Sequence, residues 1–274
     1  PSRGLGDVYK RQLELFSGTH SFGKVSHKLG YRVTSLDRDL PETCPFSDYA
    51  SGNHIREDIM TWDYKIYPPH HFKLITASPV CLWWSKLRRI FKGRQCKTIH
   101  PTDVITEEHI QKDIDIYGIP MVDKVREIIA YFEPKYYIIE NPQTGRMKEY
   151  IQDLPYYDVD YCKYSDWGYR KRTRFWTNIE GFNPQKCNND CENIMILGNN
   201  QKIHKENIGC YKTIKENGII IRCHSKELRL KYKNSENITS FNQGENSTGR
   251  SLCKRYRIPE KLIEELLKLT HPGL

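Results

Sequence analysis

The chain has 274 residues, of which 38% are hydrophobic, and this is enough for one sizeable core with a small appendage. The formal net charge of +9 favours a polyanionic partner, nucleic acid first, and the lack of any run of 18 apolar residues predicts no membrane partner. The nine cysteines follow no recognisable signal peptide, so we expect an intracellular protein with reduced thiols instead of a disulfide framework.

The first part of the chain predicts a nucleotide-binding βαβ unit. Residues 1–11 lack periodicity and are expected to be a non-native or disordered tail outside the fold. A strand at 12–16, a turn of small residues, a helix at 24–29 and a strand at 31–36 then lead to Asp37. In such units the turn lets backbone N–H groups approach the ligand, and the acid binds ribose hydroxyls.

The turn lacks the full glycine pattern of dinucleotide sites, because His20 and Ser21 stand where glycines are usual. A ligand without phosphates, such as S-adenosylmethionine, therefore fits better than a dinucleotide, and a purely structural turn is the alternative. Asp58 follows in the next unit, where a carboxylate at a strand end can meet an adenine amino group.

A cysteine follows the next predicted strand, at 72–75, in the segment Ser78-Pro79-Val80-Cys81. Ligands and chemistry in open α/β sheets lie at the carboxyl ends of the strands, so Cys81 is a candidate nucleophile. The alternative is that Cys81 is a small buried hydrophobic residue.

The next region is basic and polar, and 86–113 is predicted to be a mobile loop. Six cations lie between positions 86 and 97: Lys86, Arg88, Arg89, Lys92, Arg94 and Lys97. Such a loop is suited to following phosphates, although a solvated surface has the same composition. Apolar residues at helical spacing then predict a helix at 121–132.

A second acidic strand end follows, because a strand at 134–139 leads directly to Glu140. Further strands are expected at 157–161 and 174–177. Between them, four of the five residues from 170 to 174 are cationic.

From about residue 179 the apolar runs shorten, which predicts a small, irregular, basic subdomain over 179–257. Cys187, Cys191, His204 and Cys210 make a candidate Cys₃His zinc site, with Cys223 and His224 as spare ligands. An amphipathic helix at 260–269 is expected to pack on the main sheet.

Four segments in this order resemble the DNA cytosine-5 methyltransferase family, particularly its compact phage and viral forms, over roughly residues 12–178 and the final helix. Leu15-Phe16-Ser17-Gly18 resembles the family's cofactor motif, and Ser78-Pro79-Val80-Cys81 is similar to its Pro-Pro-Cys nucleophile loop. Ile139-Glu140-Asn141-Pro142 is similar to its Glu-Asn motif, and Lys171-Arg172-Thr173-Arg174 to its Arg-x-Arg stretch. Val80 in place of a proline, and His20-Ser21 in place of two glycines, depart from the pattern.

The resemblance implies a complete active site. S-adenosylmethionine would be held by Phe16, Ser17, Gly18, Thr19, Asp37, Asp58, Ile59 and Pro79. Cys81 would add to carbon 6 of cytosine while Glu140 holds ring N3. Arg174, with Arg172, would bind the cytosine O2 oxygen. The target base would be flipped out of double-stranded DNA.

The resemblance also implies the architecture: an α/β fold with a doubly wound, mainly parallel sheet of the S-adenosylmethionine-dependent methyltransferase (Rossmann-like) type and a small irregular basic subdomain. We expect a catalytic domain over 12–178, a target-recognition subdomain over 179–257, a C-terminal helix within 258–274 and a monomer. Two alternatives stay open, namely cytosine-5 methylation of RNA and a decayed methyltransferase that acts as a DNA-binding module.

Overall fold

The computed structural model describes residues 10–39, 53–96, 100–198, 200–206, 212–216, 219–223, 238–239 and 256–270. The predicted tail at 1–11 lies almost wholly outside these ranges, and the first strand begins at Arg11. No helix in the described part of the chain is long and apolar enough to cross a membrane.

A seven-stranded sheet forms the centre of the fold. Its strands are β1 (Arg11–Leu15), β2 (Arg32–Leu36), β3 (Asn53–Ile55), β4 (Leu74–Ala77), β7 (Tyr136–Pro142), β8 (Tyr156–Asp160) and β9 (Arg172–Thr177). They lie in the order β3-β2-β1-β4-β7-β9-β8, and only β9 runs antiparallel to its neighbours. The predicted mainly parallel sheet is therefore confirmed.

The order of the strands reverses between β1 and β4. The chain leaves β1 toward β2 and β3, then returns to the other side of β1 for β4 and β7. At such a reversal the connecting segments leave the sheet in opposite directions, and a crevice opens at the carboxyl ends of the strands.

Helices cover both faces of the sheet, as a doubly wound fold requires. On one face lies α3 (Ile119–Phe132), whose Val122, Val125 and Ile128 are fully buried with Leu13 and Ile75. On the other face lie α1 (Ser21–Lys28) and the C-terminal α5 (Glu260–Lys268).

Three hydrogen bonds join α1 and α5 or the residues that flank these helices. Lys28 Nζ donates to Glu260 Oε2 at 2.6 Å, and the Tyr31 and Thr270 hydroxyls lie 2.9 Å apart. The Ile258 N–H donates to Ser21 Oγ at 3.0 Å. The predicted terminal helix thus covers the sheet mainly through its contact with α1.

The region 86–113 is not the mobile loop that its composition suggested. It contains a 3₁₀ helix at Lys86–Phe91, the strand pair β5 (Gln95–Cys96) and β6 (His100–Val104), and α2 (Glu107–Asp113). A π-helical turn at Ile114–Gly118 joins α2 to α3. Ion pairs organise the segment: Arg88 binds buried Asp113, while Arg89 and Lys92 bind Glu107.

The remaining described elements are short. They are α4 (Met147–Tyr150), the pair β10 (Ile194–Ile196) and β11 (Lys202–His204), and a three-stranded sheet of β12 (Lys212–Glu216), β13 (Ile219–Cys223) and β14 (Ile238–Thr239). Backbone hydrogen bonds cross the predicted domain boundary near residue 178, from Asp160 N to Gln185 O and from Glu206 N to Gly168 O.

Candidate active site

A cavity of about 790 Å³ opens at the carboxyl ends of β1, β2, β4 and β7. It is lined by residues of the predicted cofactor, nucleophile and acid segments together: Phe16, Ser17, Gly18, Thr19, Asp37, Asp58, Ile59, Pro79, Cys81 and Glu140. Chain segments far apart in sequence therefore contribute to one site.

The loop after β1 is shaped for a ligand. Phe16 and Gly18 both adopt left-handed backbone conformations, with φ of 55° and 45°. This turns the Gly18 N–H toward Asp37, whose Oδ2 accepts it at 2.9 Å. The Ser17 hydroxyl is buried and has no hydrogen-bond partner among the described residues, so it is available to a bound group.

A buried carboxylate, Glu14, supports this loop from below. It accepts hydrogen bonds from the Gly23 N–H and the Ser35 hydroxyl, each at 2.9 Å, and its Oε2 lies 3.4 Å from His20 Nδ1. Glu14 also lines the cavity. Our sequence reasoning overlooked it, although an acid directly before Leu15-Phe16-Ser17-Gly18 was the available indication.

At the far side of the cavity, Asp58 begins a turn and accepts the Met60 N–H at 3.0 Å. Its other oxygen lies 3.5 Å from Arg38. Ile59 is 4% exposed and belongs to the core. These two residues therefore present one polar and one apolar surface to the same part of the cavity.

The nucleophile segment follows β4, and Cys81 is half-buried in it. The Asn141 side-chain amide donates to the Pro79 carbonyl at 2.8 Å, which ties this segment to β7. Burial raises the pKa of the Cys81 thiol, Glu140 reinforces this, and the Lys171 ammonium opposes it. Lys171 is thus the cation that favours the reactive thiolate.

Glu140 lies at the end of β7 and is 6% exposed. Its Oε1 accepts from the Tyr161 hydroxyl at 3.2 Å and lies 3.5 Å from Lys171 Nζ. Lys171 also stands 5.0 Å from the centre of the Tyr161 ring. Cys81, Glu140 and Lys171 thus all line the cavity and interact electrostatically with one another.

The structure does not bring Arg172 and Arg174 to the cavity, in contrast to our sequence-based expectation. Arg172 makes a two-point ion pair with Asp160, at 3.0 and 2.7 Å, and Arg174 makes one with Asp158, at 2.7 and 2.9 Å. Side chains alternate along an extended strand, so Lys171 faces the cavity while its neighbour Arg172 faces the other way. Lys171 therefore lines the cavity, whereas Arg172 and Arg174 do not.

Three of the four predicted zinc ligands lie together, away from the cavity. The Cys187 and Cys191 sulfurs lie 3.5 and 3.4 Å from His204 Nε2. Cys210 lies outside the described residues. Cys162, which we had not considered, completes a group whose ligand atoms are all within 4.8 Å of one another.

Comparison with known proteins gives one strong similarity. No protein-family model matches the chain. A protein of Frog virus 3 (isolate Goorha) described as "Probable DNA (cytosine-5)-methyltransferase" is 45% identical over 179 residues, which are 65% of this chain and 74% of that protein.

The similarities to solved structures are weaker. The Dnmt2 methyltransferase of S. pombe is 15% identical with a TM-score of 0.38, over 66% of this chain and 52% of that one. A DNMT2 mutant of Spodoptera frugiperda is 14% identical with a TM-score of 0.37, over 64% of this chain and 53% of that one. The chain thus spans about half of the length of these two structures.

Proposed function

The chain belongs to the DNA (cytosine-5)-methyltransferase family, and on that premise we propose that it transfers a methyl group from S-adenosylmethionine to carbon 5 of cytosine in double-stranded DNA. The observation that carries the proposal is the meeting of Cys81, Glu140 and Lys171 with the loop 16–19 in one cavity. A nucleophile, an acid and a cation beside a cofactor loop are the groups that this transfer needs.

The residues of the cavity fit S-adenosylmethionine. The unpaired, buried Ser17 hydroxyl and the turned backbone of Phe16, Ser17, Gly18 and Thr19 provide polar contacts. The loop lacks the full glycine pattern of a pyrophosphate site. Asp37 would bind the ribose hydroxyls, while Asp58, Ile59 and Pro79 also line the cavity and Asp58 would accept from an adenine amino group. When bound, S-adenosylmethionine supplies an electrophilic methyl group.

Cys81 makes the cytosine ring reactive. Its thiolate adds to carbon 6, and the electron pair of the C5–C6 double bond moves so that carbon 5 becomes nucleophilic. After methylation, loss of the C5 proton to water and departure of the Cys81 thiolate restore the ring. Because burial raises the pKa of the Cys81 thiol, this step depends on the nearby Lys171 ammonium.

Glu140 and Lys171 stabilise the negative charge that develops on the cytosine ring. Glu140 binds ring N3 and holds a proton there as negative charge builds, while the Tyr161 hydroxyl fixes the position of its carboxyl group. Lys171 takes the position at the O2 oxygen that we first assigned to Arg174, which is instead occupied with Asp158. The family role thus passes to a neighbouring cation.

The DNA substrate is supported by charge and by the relative from Frog virus 3. A net charge of +9 favours binding to phosphates, and this binding should weaken steeply as salt concentration rises. A target cytosine inside a duplex must be flipped out to reach Cys81, so mismatched targets should bind more tightly than paired ones.

Covalent trapping tests the proposal. The full chain is incubated with S-adenosylmethionine and DNA of mixed sequence that carries 5-fluorocytosine, beside Cys81→Ala and beside matched RNA. Fluorine cannot leave as a proton does, so the covalent adduct accumulates. We expect an adduct with DNA in the wild type alone. An adduct with RNA only would assign the RNA reaction, and cofactor binding with no adduct on either would indicate a DNA-binding module.

A further inference from the structure

The strongest unexplained feature lies outside the cavity, in the group formed by Cys162, Cys187, Cys191 and His204. We propose that these four residues bind one structural zinc ion that joins the loop after β8 to the β10–β11 lobe. This assignment replaces Cys210 of the expected set with Cys162.

The distances within the group match those of a tetrahedral site. With Zn–S near 2.3 Å and Zn–N near 2.0 Å, a tetrahedral ion sets a sulfur and a nitrogen ligand about 3.5 Å apart. Cys187 and Cys191 lie 3.5 and 3.4 Å from His204 Nε2. One ring nitrogen has a single lone pair or a single proton, so it cannot serve both sulfurs, whereas an ion between them contacts all three atoms.

Burial supports a closed site. Cys162 and Cys187 are 4% and 1% exposed, and His204 is 9% exposed. Three thiols and an imidazole together are an uncommon core, because they leave polar groups to be satisfied where leucine or valine would pack without that cost. A closed Cys₃His set with no room for substrate is the arrangement of a structural zinc site instead of a catalytic one.

The chain turns sharply just after Cys187, and a lysine lies beside this turn. Asn189 adopts a left-handed conformation with φ of 59°, and the Asn188 N–H donates to Asp190 Oδ1 at 3.0 Å. Three thiolates and Zn²⁺ carry a net charge of −1, and Lys163 lies nearby in an ion pair with Asp190 at 2.8 Å. The Lys163 ammonium therefore offsets part of that negative charge.

The second layer of contacts fixes the loops that carry the ligands. Asp160 Oδ2 accepts the Cys187 N–H at 2.8 Å, and Asn193 Nδ2 donates to the carbonyls of Cys162 and Ser165 at 3.2 and 2.9 Å. Cys162 directly follows Tyr161, the residue that contacts Glu140. Zinc at this place would hold the Tyr161 loop and the lobe in one arrangement.

The soft, sulfur-rich ligand set indicates which metal ions to test. Cys and His select zinc over magnesium or calcium, which prefer oxygen ligands. Cobalt(II) takes the same tetrahedral geometry and reports it through visible absorption, so it serves as a spectroscopic probe of the site.

Metal analysis of the full chain, purified under reducing conditions, tests the proposal. We expect one equivalent of zinc in the wild type and in Cys210→Ser, and a large loss in Cys162→Ser and His204→Ala. His204→Cys should retain the metal, because a Cys₄ set is also a closed zinc site. A wild type without zinc, even after zinc is supplied, would overturn the proposal, as would zinc lost from Cys210→Ser but kept in Cys162→Ser.

A second measurement uses only the wild type, so its result does not depend on whether the variants fold. The wild type is alkylated with and without a zinc chelator, and each cysteine is quantified by mass spectrometry. Cys162, Cys187 and Cys191 should react only after chelation, while Cys81 should react equally in both samples. Equal modification of the three ligands with and without chelator would show that no metal protects them.

Discussion

The Asn141 side-chain amide donates to the Pro79 carbonyl at 2.8 Å, which joins the acid strand to the nucleophile segment, and Asn141→Ala removes this hydrogen bond. Asn141 is fully buried and Pro79 is buried as well, so water cannot easily take over the bond. We expect a slower methyl transfer, because Pro79 is only two residues from Cys81 and its hydrogen bond to Asn141 helps to position the Cys81 thiol.

The size of the effect follows from the cost of a buried carbonyl left without a donor. That cost is about 1–3 kcal/mol. At 1.36 kcal/mol for each factor of ten, the loss of rate is roughly 5- to 150-fold if it falls on the positioning of Cys81. Binding of S-adenosylmethionine should be nearly unchanged, because Asn141 itself does not line the cavity.

The assay is single-turnover transfer of a labelled methyl group to DNA, with cofactor affinity measured by calorimetry on the same sample. Asn53→Ala is the matched control, since its amide makes a hydrogen bond to Tyr67, at 3.2 Å, on the exposed surface of β3. A folded Asn141→Ala enzyme with the wild-type rate would refute the reasoning. A defect confined to cofactor affinity would refute it equally.

Three further predictions test the other parts of the site. Lys171→Met removes the cation that lowers the pKa of Cys81, so the pH midpoint of Cys81 alkylation should rise. Lys171→Arg keeps a cation and should restore the wild-type midpoint. An unchanged midpoint in Lys171→Met would contradict the role assigned to Lys171. Asp37→Ala removes the acceptor of the Gly18 N–H and should weaken S-adenosylmethionine binding, measured by calorimetry, roughly tenfold or more. An unchanged affinity would show that the cofactor binds elsewhere. Gly23→Ala puts a methyl carbon 2.6 Å from Glu14 Oε2, which is too close for an unstrained contact. Although alanine normally stabilises a helix relative to glycine, this variant should lower the free energy of unfolding in urea by about 1–3 kcal/mol. A gain in stability would mean that Glu14 moves aside.

The cavity residues that the sequence singled out, Cys81 and Glu140, share one property: each lies near the end of a recognisable apolar strand. Cys81 after β4 and Glu140 at the end of β7 were placed by this rule, and both line the cavity. The alternating βαβ pattern likewise led to the parallel sheet, because buried parallel strands are continuous apolar runs that stand out in a sequence.

The parts that the sequence did not predict depend on which side chains of a strand face the cavity, or on contacts between residues far apart in the chain. Choosing between Lys171 and Arg172 needs the register of β9, and a slip of one position exchanges the two faces of a strand. Cys162 lies 25 positions before Cys187, so no local spacing connects them. The region 86–113 has few apolar residues, and its order comes from ion pairs such as that of Arg88 with Asp113.

The contact between α1 and α5 has a consequence for the synthesis of the protein. Lys28 and its partner Glu260 are 232 positions apart. At about 5–20 residues per second, a ribosome needs roughly 10–50 s to travel between them. For that time the apolar residues of α1, among them Phe22 and Val25, have no cover from α5. Until α5 has emerged, this face of the nascent chain is therefore an apolar surface of the kind that chaperones bind.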